Sequence, residues 1–89
     1  MSEQRYLKTF FKEKDLSYQM YEVVVDDTPN FIDSETVIDL ILKAPEGEQR
    51  MIAEGVRRID FRNGDMHHYL KFLAGAFIRT QRATAERMQ

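Results

Sequence analysis

The chain has 89 residues, 43% of them hydrophobic and 31% charged, with a formal net charge of −2 and no cysteine. That length supports one domain, residues 1–89, with one small core, and the composition excludes a disordered chain. The missing cysteine excludes disulfides, thiolate metal sites and cysteine nucleophiles, so packing alone must hold the fold, and a reducing cytoplasm is the expected location.

The first predicted element is a helix. Tyr6, Leu7, Phe10 and Phe11 recur at helical spacing with Lys8, Lys12, Glu13 and Lys14 between them, and Ser2 is placed to cap it. It should end near Asp15 and Leu16, where "SYQMYEVVV" changes the code to β-branched and aromatic residues. Alternation sends Gln19, Tyr21, Val23 and Val25 to one face of that strand and Tyr18, Met20, Glu22 and Val24 to the other. Both faces are largely apolar.

"DDTPN" then predicts a turn, because Asp and Asn bond their own backbone and Pro29 fixes φ, after which "FI" returns as a short antiparallel arm. A lone hairpin leaves its long arm with an open edge. Either a helix covers that edge, or the same strand of a second copy does, giving a four-stranded sheet across a dimer.

"DSETVIDLILKAP" predicts a second helix, capped by Asp33 or Ser34 and nearly fully buried through Val37, Ile38, Leu40, Ile41 and Leu42. Pro45 opens a third, with Met51, Ile52, Val56 and Ile59 as its stripe and Asn63-Gly64 as its stop. Gly55 inside it implies a close helix crossing. Asp65 should cap a last helix with Met66, Tyr69, Leu70, Leu73 and Phe77 inward and His68, Phe72 and Ala76 as a second stripe. After Arg79 the pattern thins, so the last eight or so residues either fray or extend that helix into solvent. The predicted fold is α+β: helix, β-hairpin, then three helices.

Charge is unevenly distributed. Residues 20–48 carry eight acidic side chains against Lys43 alone, whereas residues 49–89 carry eight basic side chains against four acidic ones. The apolar run "VIDLIL" is interrupted by Asp39, and "MSEQRYLKTFFKEKD" is charged throughout, so a soluble, unexported protein with no membrane contact is expected.

No motif identifies a chemistry. His67 and His68 are adjacent, and successive helical residues point about 100° apart, so a single metal does not readily take both. No HExxH pattern accompanies them. The acidic stretch "DDTPNFIDSE" lacks the central Gly and terminal Glu of a calcium loop. Ser2, Ser17 and Ser34 lie in terminal, turn or cap contexts, and the four glycines form no phosphate loop. No cofactor or metal is expected.

The surplus apolar surface predicts a non-catalytic interaction or regulatory module, either a homodimer or a binder of another protein. Tyr21, Val23, Phe72, Ala76 and Phe77 are the expected interface residues, with the acidic loop and the arginine face as polar contacts. A second reading is a nucleic-acid-binding regulator that sets Arg58, Arg62, Arg79 and Arg82 against phosphates. A third is a small metal-dependent enzyme using His67 or His68.

Overall fold

The aromatic stripe of the N-terminal segment forms helix α1 (Glu3–Lys14), with Leu7, Phe10 and Phe11 buried and the Phe10 and Phe11 rings edge to face at 5.5 Å. The computed structural model describes residues 3–14, 16, 18–59 and 63–87, so the expected cap Ser2 lies outside the described residues. The elements that follow are β1 (Met20–Val25), β2 (Thr28–Asp33), α2 (Ser34–Lys43), α3 (Glu46–Arg58) and α4 (Asn63–Arg87). The architecture is α+β in the expected order, helix, hairpin, three helices.

The hairpin is more regular than its sequence suggested. β1 and β2 are antiparallel arms of six residues each, joined by Asp26 and Asp27 alone. Both turn residues have positive φ, 52° and 62°, the backbone of a type I′ turn, whose twist matches that of the strands. Pro29, expected in the turn, sits instead in β2 opposite Val24. Hydrogen-bonded and non-bonded pairs alternate along an antiparallel ladder, and Val25–Thr28, flanking the turn, is a bonded pair, which makes Val24–Pro29 a non-bonded one. Proline's missing N–H therefore costs the ladder nothing.

Ser34 extends the same alternation past the strands. Its N–H donates to the Gln19 carbonyl at 2.8 Å, and its hydroxyl accepts the Gln19 N–H at 3.1 Å. Asp33 is the cap of α2, its carboxylate accepting the Thr36 N–H at 2.6 Å. Hydrogen bonding from the Thr36 side chain, and then from its backbone N–H, holds the Asp33 carboxyl below the usual carboxylate range.

α2 departs from expectation. Ser34, Val37 and Ile41 are buried, but Ile38, Leu40 and Leu42 are only half-buried. The described molecule is 19 Å across its thinnest axis, too thin to enclose a helix on all sides. Its last carbonyls are satisfied from elsewhere: the side-chain amide of Gln49, buried in α3, donates to Leu42 O at 2.9 Å, and that of Gln4 donates to the same oxygen at 2.8 Å.

In α3 the inner stripe is Gln49, Ile52, Ala53 and Val56, while Met51, expected inward, is 73% exposed. Met51 stands about 100° around the helix from Ile52, and the stripe centres on Ile52. Pro45 precedes the helix as its cap residue, and the Gln49 N–H closes the first turn on the Pro45 carbonyl at 3.0 Å. Asn63-Gly64 is not the stop of α3, which ends at Arg58; it begins α4, and Asp65 lies in the first turn of α4 rather than at its cap.

α4 is 25 residues long and continues to Arg87, so the thinning pattern after Arg79 marks exposed helix, not its end. Met66, Leu70, Leu73 and Ala74 are buried, with Tyr69, Phe77 and Ile78 packed against the core. This helix lies across β1 and α2, and α1 packs on α3 and α2, so one apolar core runs between hairpin and helices. No described helix is long and apolar enough to cross a membrane.

Candidate interaction surface

Among the described residues β1 has a partner strand on only one side. The Gln19–Ser34 bonds fix the alternation, so Tyr21, Val23 and Val25 direct their backbone groups toward β2 and Met20, Glu22 and Val24 direct theirs to the open edge. The side chains divide the same way between the two faces. Tyr21, Val23 and Val25 point into the core, and Met20, Glu22 and Val24 point out.

Beside that edge runs one stripe of α4, His68, Phe72, Gly75 and Arg79, with Lys71 next to it. Together with Glu22, Val23 and Val24 it lines a shallow groove of about 490 Å³. A second cleft, of about 370 Å³, runs on between residues 19–22 and Gly64, His67, His68 and Lys71. The two share Glu22, His68 and Lys71, so the depression follows most of the strand. Phe72 stands on this edge 68% exposed. At Gly75 α4 passes close to β1, since a Cβ there would lie 3.2 Å from Val23 Cγ1.

The expected interface residues separate into three groups. Tyr21 and Val23, 4% and 7% exposed, are buried within the chain, because α4 covers the face of β1 that carries them. Ala76 and Phe77 are half-buried, Phe77 against the core. Phe72 alone of the five is fully outward. Among the other exposed large apolar side chains, which include Tyr18 and Met51, three not singled out as contacts stand on the outer face of the hairpin: Met20, Val24 and Phe31. Alternation in β1 places Met20 and Val24 on the face opposite Tyr21 and Val23 without saying which face is buried, and Phe31 falls in the returning arm with no face assigned.

The arginines do not form one face. Arg82 closes the hairpin: its guanidinium donates to Val25 O at 2.9 Å and to Asn30 Oδ1 at 3.1 Å, and lies 3.6 Å from the Asp26 carboxylate. Arg79 is exposed in the β1 groove, and Arg58 is exposed at the end of α3. Arg62 lies outside the described residues. A fifth arginine, Arg57, stacks over the Tyr6 ring at 4.1 Å and reaches Glu3 at 3.4 Å.

The histidines also separate. His67 Nδ1 lies 2.6 Å from the Tyr21 hydroxyl, with the rings tilted edge to face. Burial pushes the Tyr21 hydroxyl up to about 12, so it keeps its proton, and it donates to His67 Nδ1 in the tautomer that carries the ring hydrogen on Nε2. His68 is exposed and turns to the groove. Among the described residues no group of three or more His, Asp or Glu side chains is placed to hold a metal ion. His67 thus acts as a tie between α4 and β1.

The class these features define is a small α+β domain with an unpaired strand edge beside an exposed aromatic. The chain matches no protein-family model, and no curated protein or solved structure is significantly similar to it.

Proposed function

We propose that this chain is a non-catalytic protein-interaction module that works as a homodimer. The observation that carries this reading is Phe72, 68% exposed on α4 beside the unpaired edge of β1. An open strand edge with an adjacent apolar side chain is a template for another strand, and natural proteins seldom leave one without a partner or a charged guard. A second copy of the same chain supplies such a strand with the same surface. Sedimentation velocity at micromolar concentration is expected to show a dimer that Phe72→Glu weakens. A sample that sediments only as monomer overturns the reading.

A second reading, a nucleic-acid-binding regulator, draws support from Arg58, from Arg79, and from Lys71 on the same groove, all exposed. It has lost Arg82 as a free phosphate contact, because that guanidinium holds the hairpin tip. Titration with duplex at low salt tests it, since binding through phosphates must weaken steeply as salt rises. No binding under those conditions removes it.

A further inference from the structure

We propose that the two copies join edge to edge through β1, antiparallel about a two-fold axis at Val23, to make one four-stranded sheet in the order β2, β1, β1 of the partner, β2 of the partner. The proposal rests on the homodimer reading and adds its register. Only certain registers bring the outward backbone groups of Met20, Glu22 and Val24 face to face, namely those whose axis falls on a residue rather than between two.

Charge selects among them. An axis at Glu22 sets Glu22 directly against the partner's Glu22, and an axis at Val24 sets Asp26 against the partner's Glu22; like charges directly opposite are unfavourable. An axis at Tyr21 brings Lys71 and His68, which flank residues 19–22, toward the same pair in the partner subunit. At Val23 these conflicts vanish. Glu22 then bonds opposite the partner's Val24, and the partner's Asp26, at the start of its turn, falls toward Met20, near Lys71 and His68.

The helices support the same axis. Two strands related in this way keep their buried faces on the same side, so α4 of each copy lies on one face of the joined sheet. Gly75 sits over Val23, at the axis, with Phe72 on the groove beside it. Phe72, exposed on the groove side of each α4, is then brought to the contact between the two helices. Stacking the outer faces of two hairpins would cover Phe31 but would also bury Glu22 at the centre without a partner cation, a costly arrangement.

The cysteine-free chain allows a direct measurement of register. A spin label at Met20→Cys, an exposed site, is expected to report a backbone separation of about 20 Å in the dimer, because the two labelled positions lie six residue steps apart along the paired strands. Axes at Glu22 and Tyr21 give about 14 Å and about 8 Å. In parallel, Val24→Pro removes an N–H aimed at the partner and none from the hairpin, and should weaken the dimer by roughly tenfold or more with an unchanged circular dichroism spectrum. Should that variant unfold, Lys71→Glu at an exposed position is expected to weaken the dimer several-fold at low salt and to reverse its response to salt, so that added salt strengthens the variant dimer. A dimer with a label separation well away from 20 Å, or one indifferent to both Val24→Pro and Lys71→Glu, overturns the edge pairing and leaves the homodimer standing. A wild-type monomer overturns both.

Discussion

Gly55 shows how one absent side chain sets the distance between two helices. A Cβ at that position in α3 would collide with the hydroxyl of Tyr69 on α4, whose O–H reaches Ile52 O at 3.5 Å. Gly55→Ala gains about 1 kcal/mol of helix propensity, but the half-buried tyrosine ring must shift to make room and gives up its contact with Ile52 O. The variant is therefore expected to be less stable than wild type by about 1–3 kcal/mol in urea unfolding, and a more stable variant would remove this account of the crossing. The buried hydroxyls have a consequence at alkaline pH. Tyr21 is pushed up to about 12 and Tyr69 also upward, both by burial, so the neutral forms belong to the folded state. The unfolded chain ionises first, near the free-tyrosine value of about 10, so the contribution to stability is complete below that pH and is lost as pH rises through about 12. Absorbance titration at 295 nm of the folded chain should show a late tyrosine phase that Tyr21→Phe diminishes.

At the scale of elements, the hairpin carries both a strain and its restraint. Asp26 and Asp27 occupy left-handed backbone that glycine and asparagine enter more easily. Replacing the pair by Asn-Gly should raise stability by about 0.5–1 kcal/mol, measured as a higher urea midpoint. Arg82 acts in the opposite direction by tying Val25, Asn30 and Asp26 to α4. Arg82→Ala is expected to cost about 1 kcal/mol and to speed amide exchange at the turn before the rest of β1. Equal protection there in both proteins would mean that the tip holds itself. The same elements show what a sequence hides. "DDTPN" contains four good turn formers, and nothing local tells a two-residue turn with Pro29 in a strand from a longer turn with Pro29 inside it. The choice depends on whether the position opposite Val24 needs an N–H, which is a property of pairing. Asn63-Gly64 misled for a similar reason, since glycine near a helix end serves a stop or a start alike.

For the whole molecule, stability and association should be coupled if two copies bury Phe72. The melting temperature is then expected to rise with protein concentration, and in Phe72→Glu to become independent of it. Flat melting temperatures over a hundredfold concentration range in the wild type would contradict that coupling. Association is favoured here because α4 covers one face of a two-stranded sheet and leaves its edge and outer face unpartnered, with Met20, Val24 and Phe31 in solvent.

The sequence by itself determined the α+β class, the order of elements, the stripes of α1 and α4 and the two faces of β1. Those features follow from local periodicity, which a chain carries without knowing its neighbours. Only the tertiary structure decided which apolar faces were surplus. Val23 and Val24 are alike in chemistry and adjacent in sequence, yet one lies under α4 and the other in solvent. The same holds for Arg79 and Arg82, three residues apart on α4: the groove keeps the first exposed, and the hairpin tip takes the second. Burial depends on where α4 crosses the strand, and that crossing is set by long-range contacts at Gly55 and Gly75 that no local pattern encodes.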